Sequence, residues 1–580
     1  MNTFIGLSSR QRHNTLATIP VFFLCIALLF GYLLAMRFYF PLPTAVFWVA
    51  TIAAILVILF QITQIPWPGY EGFLLTEILI LGVALLSVYQ IPFSGIYESD
   101  SYENMMVTRK TLEYGVLTAA RPGTETAVYG WPLTNIYGAE LHFLTGMTTF
   151  NIAKWSSLIM SSIFTLLMYI IVKKVFKSEK AAFLTILLIV TLQYFTVYRI
   201  SFKSENIALV IMMAMLFFLT QAEGNNRVKF SGLSILCLAG VVLAHHLTPL
   251  MLLILLLACL ATSRITGLAG KTPLSKKPTI VATATVALLT FVGVFSYWLY
   301  VYDEPLVALA RLGQTLLTQE LGTGTPAEQL GLLQPEIIPT IRGLITLYGY
   351  YFFHAVFAII LLHKIFFQPK DKSPEFYSFA AFLFICGVIV ALRMYFLSSQ
   401  PVNIPPGRLF AWGWMFGFAP LVVGILENKP TWSLKAGIIL LAGFMLFNVY
   451  TTPENTWNFR QPGRLMDDIV LREDYAVAET LALSSNGAAY HKTRLAIYDV
   501  QGYFSKDLRE VSSVDRLEAL DWIVVKKKEF ERYEEMGSYE KYATYEFNPD
   551  VVNRLAELLK GSSYQGRNKI YESNNIFVLK

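Results

Sequence analysis

Apolar runs about the length of a membrane-crossing helix, separated by short polar or basic links, recur along most of the 580 residues. A helix of about 20 residues covers the ~30 Å hydrocarbon core, so the pattern predicts about 13 spans. They fall at residues 17–37, 43–63, 72–91, 152–172, 181–198, 206–221, 230–246, 248–263, 279–301, 343–366, 376–397, 408–427 and 434–452. The tightest connection is His245-His246-Leu247-Thr248-Pro249, where two spans meet with almost no loop. The first run, from Ala17 to Met36, follows Arg10, Arg12 and His13 and lacks a small-residue cleavage site, so a retained first span is expected.

Basic residues set the expected orientation. Lys173, Lys174, Lys177 and Lys180 share one link, as do Arg264, Lys271, Lys276 and Lys277, and then Lys364, Lys370 and Lys372. The positive-inside rule makes these links cytoplasmic, with the N-terminus inside and the C-terminus outside. Two long outer loops result, 92–151 and 303–342. Helical periodicity over 101–117 and 134–147 predicts amphipathic helices lying on the membrane surface. The second loop has a glycine-rich hinge from Leu321 to Pro326 and an apolar, proline-punctuated stretch from Leu330 to Pro339.

Beyond Pro453 the periodicity changes. Short β-rich runs, Leu495 to Tyr498 and Trp522 to Val525, alternate with a helical one from Asp550 to Leu559. Residues 569–579 read as a hairpin turning at Ser573-Asn574-Asn575. The expected fold class is therefore mainly α: a polytopic transmembrane helical bundle (1–452) with an extracytoplasmic α/β domain (453–580).

Composition agrees. The chain is 55% hydrophobic and only 15% charged, against about 25% charged in soluble domains. The net charge of +6 sits in the short links, so it is no sign of nucleic-acid binding. Cys25, Cys237, Cys259 and Cys386 are scattered through apolar runs, without metal or disulfide spacing. No Walker-type glycine loop and no Gly-x-Ser-x-Gly nucleophile motif is present.

The candidate chemistry centres on Gly95-Ile96-Tyr97-Glu98-Ser99-Asp100-Ser101-Tyr102-Glu103, just outside the third span. Acid at that depth is costly unless it is wet, paired or working. Glu98 and Asp100 can serve one volume, as a base toward an acceptor hydroxyl or as ligands of a divalent ion such as Mg or Mn. The structural alternative makes Asp100 an N-cap with Glu103 as its capping-box partner. Outer-face cations come next: Arg199, Lys203, Arg342, Arg393 and Arg408, suited to gripping phosphate, with Glu205 as a local partner. His245 and His246 can bind metal or phosphate, or cap helix ends. His142 and His354 are weaker candidates, for metal and for cavity lining. Trp298, Tyr300, Tyr302, Trp412 and Trp414 fit an interfacial aromatic belt.

This arrangement resembles the GT-C superfamily of membrane glycosyltransferases. The resemblance rests on Glu98-Ser99-Asp100 in the first outer loop, the amphipathic helices after it, the outer-face cations, the second outer loop and the C-terminal domain. It covers most of the chain in layout and a handful of residues in motif. One span more than usual precedes the acidic stretch, an N-terminal addition. The resemblance implies a prokaryotic, multi-pass plasma-membrane enzyme that moves a sugar from a polyprenyl-phosphate (dolichyl-type) donor to a lipid, glycan or protein acceptor. It implies an inverting displacement with Asp100 or Glu98 as base and Lys203, Arg342 or Arg408 on the leaving phosphate. Oligosaccharyltransferases of the superfamily carry Trp-Trp-Asp-Tyr-Gly in the C-terminal domain. Here that region holds only Trp457 and Trp522, which disfavours asparagine-linked transfer. The rival expectations are a polysaccharide polymerase or ligase using lipid-diphosphate donors, and a lipid or solute transporter. A transporter would show repeated halves and mid-membrane ionisable sites, whereas the ionisable residues here are expected at span ends.

Overall fold

A computed structural model describes residues 9–37, 42–64, 70–91, 96–97, 99–115, 131–192, 201–222, 226–268, 278–301, 306–307, 341–367, 406–426, 431–456 and six strands between 469 and 579. Of Asp100, Glu103, Arg342, Arg408 and the C-terminal strands, the backbone alone is described. The expected span at 376–397, the strand at 495–498 and the helix at 550–559 lie outside the described residues, as does most of the second outer loop.

The helices are α1 (Ser9–Arg37), α2 (Thr44–Gln64), α3 (Tyr70–Gln90), α4 (Ser99–Tyr114), α5 (Leu133–Thr145), α6 (Thr149–Phe176) and α7 (Glu179–Thr191). They continue as α8 (Ser204–Gln221), α9 (Arg227–Ala244), α10 (Leu247–Leu268), α11 (Pro278–Tyr300), α12 (Ile341–Phe367), α13 (Pro406–Leu426) and α14 (Thr431–Thr456). Among the described residues, 7 helices are long and apolar enough to cross a membrane, and apolar segments of α10, α11, α12 and α13 add shorter candidates. The chain is a multi-pass membrane protein.

By chain contacts it divides into two units. The first comprises 1–88, 119–134 and 156–454. In it α7 is the most enclosed helix: every residue from Ala181 to Thr191 is buried, as expected of a helix apolar all round. Ser178 caps its start, accepting from the Ala181 N–H at 3.2 Å. Gly82 lets α3 approach it, since a Cβ there would meet Val190 at 3.2 Å. Ser161, Ser162 and Thr165 of α6 line the same narrow gap, and small residues at such crossings bring membrane helices close. Phe444 of α14 ties in α12 and α13, edge-on to Phe357 at 5.3 Å and Phe418 at 5.7 Å.

One end of this bundle is a web of charges. Lys173 of α6 bridges Glu71 of α3 and Glu179 of α7, the latter at 3.0 Å. Lys174 reaches Gln221 of α8 at 2.8 Å, and Lys180 the Thr63 carbonyl of α2 at 3.1 Å. The link predicted to be cytoplasmic therefore gathers the same ends of five alternating helices.

The second unit comprises 89–118, 135–155 and 455–580. It contains α4 and α5, close to the amphipathic helices expected at 101–117 and 134–147. α4 stops at Gly115 (φ +68°), whose N–H reaches the Thr111 carbonyl at 2.9 Å. α5 stops likewise at Gly146 (φ +69°), bonded to the His142 carbonyl at 2.8 Å. Left-handed glycine ends of this kind satisfy carbonyls the helix leaves open. Strands β1 (Ile96–Tyr97) and β2 (Ile469–Val470) pair antiparallel. β3 (Ala488–Tyr490), β4 (Arg509–Glu510), β5 (Trp522–Lys526), β6 (Lys569–Glu572) and β7 (Ile576–Leu579) form one mixed sheet in the order β4-β3-β5-β7-β6. The strands of the expected hairpin, β6 and β7, pair antiparallel with a register shift between Lys569 and Tyr571, and Ser573-Asn574-Asn575 lie outside the described residues.

Candidate functional site

At the bundle end away from the charge web, α8 begins on a short segment that is buried except at Ser204. Ser201, Phe202, Lys203, Glu205 and Asn206 are all less than 10% exposed, Lys203 at 4% and Glu205 at 7%. The Asn206 amide donates to the Ser201 carbonyl at 2.6 Å and folds the segment back on itself. Lys203 occupies the N-cap position in extended conformation, and its side chain makes no capping bond. Lys203 thus stands at the end of α8 where a helix leaves main-chain N–H groups open. A helix N-terminus and a lysine together favour an anion. Lys203 and Glu205 are both engaged by neighbours in the structure.

The histidine pair lies at the same end. α9 stops at Ala244 and α10 starts at Leu247, the near-loopless junction expected from sequence. His245, 5% exposed, takes the extended conformation that lets the chain reverse. Its Nδ1 accepts from the Thr248 N–H at 3.2 Å and lies 2.8 Å from the Thr248 hydroxyl. A ring nitrogen accepting a main-chain N–H has its lone pair in use, so Nδ1 is not a metal ligand here. His245 is a cap for α10. His246 packs between its neighbour, at 4.5 Å between ring centres, and Trp131 at 5.3 Å.

Trp131 is a residue the sequence reading missed. It is 2% exposed, also meets Tyr297 at 5.4 Å, and belongs to a cluster with Val242, Val294 and Trp298. Trp298 is thus a buried packing residue rather than a belt anchor. A Trp-Pro pair directly ahead of a helix, closing a polar loop, was the available signal.

The acidic stretch belongs to the second unit. α4 starts at Ser99, with Asp100 in its first turn. Glu103 follows on the same helix, whose residues Ser101, Asn104, Met105, Val107 and Thr108 are buried. Glu98, Arg199 and Arg393 lie outside the described residues, and Arg342 and Arg408 stand near the starts of α12 and α13. His142 donates from Nδ1 to the Met147 carbonyl at 2.7 Å, a helix-end role, and His354 is 3% exposed within α12. Among the described residues no group of three or more His, Cys, Asp and Glu side chains is placed to hold a metal.

One expectation needs correction. Ionisable residues do not all sit at span ends: Glu77 lies inside α3 and is 0% exposed. Gln61 of α2 links it to α1, its amide lying 3.4 Å from Glu77 Oε1 and 3.0 Å from Thr18 Oγ1. Among the described residues the other Glu77 oxygen has no hydrogen-bond partner. A glutamate inside an otherwise apolar run was the missed signal.

Fold and site define a polytopic helical membrane protein with a buried cationic helix start and a separate acidic helix start. Among solved structures it is similar to ArnT from Cupriavidus metallidurans, bound to undecaprenyl phosphate. Identity is 11% over 88% of this chain and 98% of that one, with a TM-score of 0.46. It is also similar to the archaeal oligosaccharyltransferase AglB from Archaeoglobus fulgidus, in complex with an inhibitory peptide and a dolichol-phosphate. There identity is 10% over 80% of this chain and 71% of that one, with a TM-score of 0.47. At these values the likeness carries no residue-by-residue correspondence. No family model and no curated protein matches the chain.

Proposed function

We propose that the chain is an integral membrane glycosyltransferase working on the outer face of a cytoplasmic membrane. It transfers a sugar from a polyprenyl-phosphate donor to a lipid, glycan or protein acceptor. The observation that carries the reading is Lys203, almost fully buried at the uncapped start of a membrane helix. A lysine is kept there against the bias that puts cations on the cytoplasmic side. An incoming phosphate would exchange for its present neighbours and gain the α8 N–H groups as well.

The step balances simply. The acceptor hydroxyl oxygen attacks the anomeric carbon as the bond from that carbon to the phosphate oxygen breaks. The electron pair leaves with the phosphate, and the hydroxyl proton passes to the Asp100 or Glu98 carboxylate. Lys203, with Arg342 and Arg408 as further candidates, stabilises the charge that grows on the leaving group. Glu98 and Asp100 are also the residues that would hold a divalent ion, which would supply additional charge to the phosphate. No part of the step depends on it.

Membranes carrying wild type, Asp100→Asn or Lys203→Gln, given a mixed pool of labelled polyprenyl-phosphate sugars and varied acceptors, test this. Sugar transfer by wild type that collapses in both variants at equal protein level is the expected result. Wild-type transfer that both variants retain would overturn the assignment of the site.

A further inference from the structure

The strand just ahead of the acidic residues is paired with a segment from the far end of the chain. β1 and β2 run antiparallel, with Ile96 opposite Val470 and Tyr97 opposite Ile469. β1 ends at Tyr97 and α4 begins at Ser99, so the main chain has almost no slack between the pair and Asp100. α4 packs against both strands. Ile96 is 1% exposed, and Ser101, Asn104, Met105 and Thr108 in the first turns of α4 are buried as well. A two-residue ladder is too short to persist alone. Here it is one side of a three-part joint of β1, β2 and the first turns of α4.

We infer that β2 is a positioning strand, whose main-chain pairing with β1 sets where α4 starts and so where Asp100 stands during transfer. The inference rests on the proposed function for what the carboxylates do, but the joint itself does not. In this role Ile469 and Val470 act through the backbone of Ile96 and Tyr97. The C-terminal segment thereby becomes part of the machinery that places the base, beyond being an appended domain.

The test breaks the ladder and then rebuilds it covalently. Ile469→Pro and Val470→Pro each remove a main-chain N–H from β2. Tyr97→Cys with Ile469→Cys puts two thiols on opposed residues, whose Cα atoms lie about 4.5–5.5 Å apart in any antiparallel pair, within disulfide reach. In the full-length protein, at least one proline variant is expected to raise hydrogen exchange across residues 96–104 about tenfold, leaving α8 and α9 at wild-type protection. Turnover is expected to fall about 100-fold with KM for the lipid donor unchanged, as a small misplacement of a base does. Oxidising the cysteine pair in the Val470→Pro background is expected to restore both readings, and reductant to abolish the rescue.

Exchange unchanged in both proline variants, or no disulfide by mass spectrometry, would overturn the joint. Altered exchange with turnover at the wild-type level would overturn the positioning role. Loss of donor affinity in place of turnover would do the same. Full activity of Asp100→Asn would remove the parent reading while leaving the exchange and disulfide results to stand by themselves.

Discussion

Two lysines at opposite ends of the same helical bundle show how differently a membrane protein holds a charge. Lys173 is 38% exposed and shared between Glu71 and Glu179 on neighbouring helices. Lys203 is 4% exposed, at the start of α8. The first is what positive-inside topology requires: a hydrated cation with acidic neighbours, whose pairs are worth a fraction of a kcal/mol to about 1 kcal/mol. The second has been taken out of water, which costs several kcal/mol per ion before partners offset it. Under the proposed function, the difference separates an architectural end of the bundle from a chemical one.

The sharpest way to break this contrast is to neutralise each lysine. Lys203→Gln is expected to lower transfer from a polyprenyl-phosphate donor by about 100-fold or more, the scale on which a single charge-stabilising donor acts. Lys173→Gln is expected to stay within about twofold of wild type. Equal losses in initial-rate assays would erase the distinction. A second contrast lies within α3. Glu77→Ala strips a fully buried group from Gln61 and is expected to cost about 1–3 kcal/mol in detergent unfolding, while Glu77→Gln keeps a neutral hydrogen-bonding side chain and much of the stability. Glu71→Ala, at the wet end, is expected to cost about 1 kcal/mol or less, fading at high salt as the pair is screened. Smallest of all should be His245→Asn, which can still accept from the Thr248 N–H. It is expected to stay within about 0.5 kcal/mol of wild type and to leave any divalent-ion dependence unchanged, whereas His245→Ala loses the cap at about 1 kcal/mol. A shifted metal titration in His245→Asn would show that the ring nitrogen does more than cap.

Periodicity and charge carried the sequence reading a long way, for physical reasons. Hydrocarbon thickness fixes span length, so α2 at 44–64 and α11 at 278–300 fall where apolar runs place them. The helices α4 and α5 were legible from spacing, and the pair β6–β7 from two β-rich runs close in sequence. What could not be read locally depends on partners distant in sequence. Nothing in Ile96-Tyr97 announces Ile469-Val470. Nothing around Trp131 names Tyr297. The protonation pattern of His245 follows from a neighbour's N–H, which only coordinates reveal. Glu77 is a different failure, since its single acidic letter was visible and was absorbed into an apolar run.

The enclosure of α7 has a consequence for biogenesis. Its neighbours include α2, made early, and α13, made more than two hundred residues later. During synthesis, then, the surface of α7 that α13 will cover faces lipid or the insertion machinery until most of the polypeptide has left the ribosome. Release from the ribosome before α13 would leave a bundle with an open flank. Quality-control proteases of the membrane would meet that flank first.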